Sequence, residues 1–418
     1  MKRALLVAFH FPPVKISSGL ERSLSLVRHL PAHGWEPLVL TASPNAYPNV
    51  SDERLQSIPE GTVVKRAFAV DSVRTLTVFG HYPSWAAVPD RWQSWVPSAV
   101  LSGLSMIRRY KPSVIWSTYP IVSAHFVAAW LHKLSNVPWV ADFRDPMVEY
   151  DDRAHVWYPP SPLVRNLRLR AERAAVQRGS ALTFCTAGSR DISVQRYPDA
   201  RHDRWHVIPN GFDEGAFEGL QARPDAGSGG PITILHSGTI YPGPDRDPTC
   251  LLRALSRVVK SRALSARPLQ VILRGSGVDD LYKDLVAELG LGQVIRFAPL
   301  VEYRSALQEM INVDGLLLFQ GYTSNPAVPA KLYEYFRAGR PILALVDGAG
   351  DTARQLRQSG VGSIAPLDDI EAIAVALERF VSAIEDGTAA GMPQARAGHF
   401  ERRHSVASMA GVFDSVGT

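Results

Sequence analysis

The stretch Val328-Pro329-Ala330-Lys331-Leu332-Tyr333-Glu334-Tyr335-Phe336-Arg337-Ala338-Gly339-Arg340-Pro341 sets one ammonium and one carboxylate on what reads as the first turn of a helix. The run just before it, GLLLFQG (315–321), is apolar throughout, as a buried strand is; NPAVPA (325–330) breaks the chain, and Gly339 stops the helix. A helix start offers amides and a positive dipole end, which attract anions, and Lys331 adds a full charge. Glu334 shares that face and could accept two vicinal hydroxyls through charge-assisted hydrogen bonds. The combination suits a nucleoside diphosphate. An ordinary crossover helix with a surface Lys–Glu pair would use the same residues, so their position in the fold decides between the two.

Strand-like runs ALLVAF (4–9), EPLVLT (36–41), SVIWST (113–118), WVAD (139–142), ALTFCTA (181–187) and HVIPN (206–210) alternate with helical patterns, which predicts a mostly parallel sheet. In the first helix Leu20, Leu24, Val27 and Leu30 form one stripe, with Glu21, Arg22 and Arg28 off it. Between Phe217 and Pro231 the chain turns rich in Gly, Pro, Ala and Asp and loses periodicity, as a linker does. A second array follows, with strands ITILHSG (232–238), LQVILRG (269–275), VIRFAPL (294–300), GLLLFQG (315–321) and PILALV (341–346). The fold class is therefore α/β, with two doubly wound, Rossmann-like domains expected to face across a cleft: 1–215, 216–394, and a terminal helix in 395–418 returning toward the first. In open α/β sheets ligands bind beyond the carboxyl ends of the strands. That rule selects the loops 9–19, 142–146, 208–213, 236–248, 274–277 and 325–331.

The 418 residues hold 46% hydrophobic and 20% charged side chains, which excludes a disordered chain and suffices for two cores. A net charge of +5 fits phosphorylated ligands or an anionic membrane face and is too small to argue for nucleic acid. Cys185 and Cys250 lie far apart without metal-ligand spacing, so a reducing cytoplasm is the simplest location. The N-terminal run is broken by His10, Pro12 and Pro13 and reads as a first strand rather than a secretion signal. Aromatics from Phe79 to Trp95 stand near Arg74, Arg91, Arg108, Arg109 and Lys111, and a second basic strip spans 165–178. Such surfaces suit peripheral contact with the cytoplasmic membrane or a lipid-linked acceptor, and equally a solvated face.

Taken in order, FPP…G..R at the start, HGWEPLVLT (33–41), PWVADFRDP (138–146), IPNGFD (208–213), SGT…RDP (237–248), LRGSG (273–277) and PAKLYEYFRAGRPIL (329–343) span nearly the whole chain. On these motifs it resembles the family four glycosyltransferases of GT-B fold, especially bacterial enzymes that build surface polysaccharides. The resemblance implies transfer of a sugar from a UDP- or GDP-linked donor to a saccharide or lipid-linked acceptor hydroxyl, with retention and with neither metal nor cofactor. It assigns Arg246 and Lys331 to the leaving diphosphate, a charge-stabilising role that is usually a large part of catalysis. Glu334 takes the ribose, and Arg144 stands where the family has a histidine reaching the donor sugar. Gly19, Gly238, Arg274, Gly275, Gly277, Ala327, Val328, Pro329 and Ala330 complete the donor side, with Asp142 and Asp145 beside Arg144 in the cleft. Two positions depart from the family pattern: Thr239 replaces the usual arginine, and Pro326 replaces the first glutamate of a paired signature. Backbone groups of 325–328 are then expected to hold the sugar.

Asp245-Arg246-Asp247 formally spells the tripeptide of metal-dependent transferases, but its place in a second-domain loop argues against a metal. The twelve histidines spell no His-Glu-x-x-His zinc helix and read as surface or packing residues. Besides transfer, two functions stay open on sequence: a sugar-nucleotide epimerase of the same fold, which should carry more acid/base groups in these loops, and a catalytically silent binding subunit.

Overall fold

The computed structural model describes residues 1–15, 19–83, 87–222, 230–261 and 267–417, the side chains of Glu53 and Arg54 excepted. The chain forms two compact units, residues 1–210 with 402–418, and residues 211–401.

In the first unit the strands are β1 (Lys2–Val7), β2 (Trp35–Ala42), β3 (Val63–Ala67), β4 (Val114–Thr118), β5 (Trp139–Arg144), β6 (Glu149–Asp151), β7 (Val156–Tyr158), β8 (Ala181–Phe184) and β9 (Trp205–Val207). Seven of them make one parallel sheet in the order β3-β2-β1-β4-β5-β8-β9, and β6 and β7 pair as a small antiparallel ribbon. β1, β4 and β5 are sealed on both faces, which is why they read as unbroken apolar runs. β3 escaped the sequence reading because it is an edge strand carrying Lys65 and Arg66. The helix Arg402–Val416 lays Val406, Met409, Val412 and Phe413 against Leu24, Val27 and Trp35 of the same unit.

In the second unit β10 (Ile232–Ser237), β11 (Leu269–Arg274), β12 (Ile295–Ala298), β13 (Gly315–Gln320), β14 (Ile342–Val346) and β15 (Ser363–Ala365) form a parallel sheet in the order β12-β11-β10-β13-β14-β15. The three-residue edge strand β15 is the one that apolar patterning did not reveal. The chain enters this unit at Gly211, upstream of the composition-marked linker, because Phe212 and Phe217 are buried in the unit's own core. Of that linker, residues 223–229 lie outside the described residues.

Two sequence expectations need correction here. Arg22, placed off the buried stripe, is itself buried, for reasons given below. Trp95 is fully buried and Trp92 packs on the same core, so neither belongs to an exposed aromatic surface; Trp85 lies outside the described residues. His125 and His236 are fully buried and so belong to the packing residues among the histidines.

Candidate functional site

In the second unit the strand order reverses once, between β10 and β13, the place where sheets of this kind bind ligands because neighbouring crossovers part. The ladder there is short. The β10–β13 pairing runs only over Ile234↔Gly315 and Leu235↔Leu316, after which side chains take over from the ladder. The Ser237 amide donates to the Tyr335 hydroxyl at 3.1 Å, and that hydroxyl donates to the Leu317 carbonyl at 3.2 Å. Tyr335 lies on the helix Lys331–Ala338, one turn beyond Lys331, so the same face that locks the helix to β10 carries the lysine.

The Lys331 ammonium comes to rest 3.5 Å from Nε2 of His236 and beside Gly238, whose φ is +120°. A Cβ at Gly238 would sit 2.8 Å from the Lys331 Nζ, so a residue with a side chain there would displace the charge. Burial first, then repulsion from Arg246, push Lys331 down to about 7 from its ordinary value, with Glu334 opposing. Arg246 lies over the Tyr241 ring at 4.9 Å, reaches the Thr239 carbonyl at 3.3 Å and pairs with Asp245 at 3.2 Å. Two cations thus share one pocket, an arrangement that an anion between them would relieve. Glu334 receives the Tyr303 hydroxyl at 2.8 Å.

The loop ahead of the helix has its carbonyls turned inward. The Gln320 amide donates to Ser324 and Ala327 oxygens at 2.6 and 2.8 Å, Thr352 reaches Ala327 at 3.1 Å, and the Asp351 amide donates to Asn325 at 2.8 Å. The Ala327 amide is also occupied, by the Ser324 carbonyl at 2.9 Å. Ala327 therefore cannot hold a sugar through its backbone, contrary to the expectation from sequence. At the helix start Leu332 and Tyr333 amides close on Pro329 and Ala330, while among the described residues the Val328 and Ala330 amides have no backbone partner.

Other expected donor residues divide. Gly275 and Gly277 occupy left-handed conformations at the end of β11, which glycine adopts without strain. Arg274 is committed elsewhere, gripping Glu309 through two bonds of 2.8 and 2.6 Å and the Pro299 carbonyl at 2.9 Å, so its guanidinium is spoken for. The carboxylates flanking Arg246 face different partners: Asp245 pairs with Arg246, and Asp247 accepts from the Thr249 amide and hydroxyl at 2.8 and 2.6 Å.

In the first unit the corresponding reversal lies between β1 and β4. There the cluster expected from Asp142, Arg144 and Asp145 separates. Asp142 has no exposure and is bound by both prongs of Arg22 at 2.8 and 2.9 Å, with Thr118 and Thr183 hydroxyls at 2.8 and 2.7 Å. Burial alone would raise Asp142; Arg22 and the two hydroxyls hold it below the ordinary carboxylate range. Its partner is Arg22, not Arg144, and it serves the fold. Arg144 stands at a break in the β5–β8 register with φ of +56°, a conformation costly for a non-glycine residue. It is 5% exposed, its Nη1 reaches the Tyr119 carbonyl at 3.4 Å, and its Nε has no partner among the described residues. Gly19 keeps this guanidinium in place, since a Cβ there would approach Nη1 to 3.3 Å. Burial, ahead of Arg144, lowers His10 to about 4; burial raises Asp145, and burial with Asp145 pushes Glu149 up to about 7. Sequence patterning missed Arg22, Tyr335 and His236, although Arg22 belonged to the quoted FPP…G..R motif.

Residues 19–211 match the Glycosyl transferase 4-like domain. No curated protein matches the chain. Among solved structures, the fold is similar to a glycosyltransferase from Rickettsia africae, at 13% identity and a TM-score of 0.67, covering 99% of this chain and 98% of that one. It is similar to Anabaena Alr3699/HepE in complex with UDP, at 18% identity and 0.65, covering 99% and 100%. It also resembles the lipopolysaccharide outer core galactosyltransferase WaaB, at 11% and 0.61, covering 99% of each. At these identities the likeness is one of fold.

Proposed function

We propose that the chain moves a sugar from a nucleotide-diphosphate donor to an acceptor hydroxyl, a reading supported by the match of residues 19–211 to a glycosyl transferase 4-like domain and by the GT-B fold. The observation that carries the reading is the half-buried Lys331 ammonium at a helix start, crowded by Arg246 and backed by inward-turned carbonyls. A leaving diphosphate supplies the charge such a pocket lacks. Glu334, presented on the same turn, is assigned to the ribose. UDP is the first nucleotide to test, since the similar Anabaena protein was solved with it.

The proposal includes retention at the anomeric carbon, independence of metals, and a saccharide or lipid-linked acceptor used in surface polysaccharide or glycolipid assembly. The polysaccharide role is supported by the resemblance and by the fold likeness to a lipopolysaccharide enzyme. A thermal-shift screen against UDP-, GDP- and ADP-sugars tests the core claim: at 100 times its Kd a ligand adds about 2.7 kcal/mol to stability. One nucleotide series should raise the melting temperature. If none does, the donor reading is wrong.

No helix among the described residues is long and apolar enough to cross a membrane. Peripheral contact is part of the proposal, and the surface favoured for it is the β6–β7 ribbon. Tyr150, Trp157 and Tyr158 are exposed there, Leu163 follows, and Arg165 stacks on Trp157 at 5.2 Å. Aromatic rings and arginines together suit an anionic interface. Vesicles containing anionic phospholipid should float the wild-type protein and not a Trp157→Ser/Arg165→Glu/Arg170→Glu variant. Equal flotation of the two proteins, or flotation of neither, would remove this surface from the proposal.

A further inference from the structure

Of the groups that the sequence left as packing residues, His236 stands out for where its two nitrogens point. The imidazole is fully buried on β10, tilted against the Phe319 ring at 4.5 Å. Its Nδ1 faces the Leu317 carbonyl at 3.0 Å. A carbonyl oxygen can only accept, so the Leu317 contact places a proton on Nδ1; Nε2 stands 3.5 Å from the Lys331 ammonium, which has protons to donate, and the Gly238 carbonyl also lies against the ring. The same Leu317 oxygen also accepts from Tyr335. One carbonyl on β13 therefore fixes both the ring that faces the ammonium and the phenol that pins the helix bearing it.

We propose that His236 is a positioning residue for Lys331: a single imidazole tautomer accepts from the ammonium and holds it, charged, where the donor diphosphate is to bind. The proposal rests on the donor reading above. Charged and titratable groups acting on Lys331 are His236 from β10, Arg246 from the loop after β10, and Glu334 from its own helix. Arg246 and burial favour the neutral amine, and Glu334 and the His236 lone pair favour the ammonium. Protonation of His236 would turn its acceptor into a donor and break the arrangement; burial and the adjacent Lys331 keep it neutral well below its ordinary range. Removing the imidazole should thus leave Lys331 losing its proton at a lower pH.

The test uses His236→Leu, which fills the space without an acceptor, and His236→Gln, whose amide oxygen can replace Nε2. Acetylation of Lys331 by acetic anhydride, followed by peptide mass spectrometry from pH 5.5 to 9, reads the unprotonated amine without any nucleotide. The midpoint should move to lower pH in His236→Leu and stay near the wild-type value in His236→Gln. UDP affinity by calorimetry should fall about tenfold in His236→Leu at pH 7.5, as a tenfold change in the amine-to-ammonium ratio requires, and much less at pH 6. An unmoved midpoint in a folded His236→Leu protein overturns the proposal whatever UDP does. A moved midpoint with unchanged UDP affinity overturns the link to the donor. Should wild type bind neither UDP nor GDP, the donor reading fails, and the acetylation profile alone decides the Lys–His pairing. If His236→Leu does not fold, His236→Gln decides: an intact fold with a midpoint far from the wild-type value counts against it.

Discussion

Lys331→Met lowers turnover about 10²- to 10³-fold, the usual result of deleting one preorganised charge from the position where negative charge develops. The loss should fall mainly on kcat if the ammonium acts as the diphosphate departs, and on KM if it merely anchors the donor. The same substitution should leave the ligand-free protein as stable as wild type or more so at neutral pH. The sign follows from linkage. Lys331 is pushed down to about 7, below the unfolded lysine range, so between these values the unfolded chain binds the extra proton and stability rises with pH. Below about 7 the charged amine is a burden on the fold, which methionine removes. Kinetics with a nucleotide-sugar and a melting curve at pH 6 and 8 together check this. Unchanged turnover, or a clear drop in melting temperature at pH 6, would remove Lys331 from the role given to it.

Asp142→Asn is the second large effect, and it acts through stability. Arg22 donates through Nε and Nη2 to Asp142 and also reaches the Ile208 carbonyl at 3.1 Å, so the pair joins β5, the first helix and the segment after β9. An asparagine cannot accept on both sides, and the Arg22 charge stays buried. Breaking a buried pair on one side costs about 3–5 kcal/mol. Asp142 is held below its unfolded value, so its contribution is complete above the unfolded carboxylate range and is lost as pH falls through the folded one. Denaturant unfolding at pH 7 should therefore show the full loss, and acid unfolding of wild type should begin where Asp142 takes up its proton. A variant within 1 kcal/mol of wild type would show that the pair contributes little. Arg22→Ala is the complementary deletion, expected to be comparably damaging.

The two sheets were legible because their central strands are covered on both faces and leave unbroken apolar runs such as GLLLFQG. The strands missed in these sheets, β3 and β15, are edges, short or charged, where burial leaves a weak trace, and the three-residue ribbon strands β6 and β7 were missed as well. The helix start at Lys331 was legible from the breaker sequence ahead of it. Arg22 was not, because helical periodicity assigns a charged residue to water and cannot see a buried carboxylate 120 residues away. Arg274 erred in the other direction: a Gly-rich turn advertises a ligand loop, whereas Glu309, beyond the next strand β12, takes the side chain. His236 and Tyr335 read as interior residues, and they are; that their polar atoms replace the ladder between β10 and β13 depends on where that ladder stops.

The clamp that Gln320, Thr352 and Asp351 place on residues 324–327 fixes a set of dipoles during folding, before any ligand arrives. If the proposed donor site is right, the carbonyls of Ser324, Asn325 and Ala327 need no reorganisation when a diphosphate arrives, because their partners already hold them. A seat built that way should discriminate by sign of charge: a cation would meet Lys331 and Arg246, with those three carbonyls already engaged.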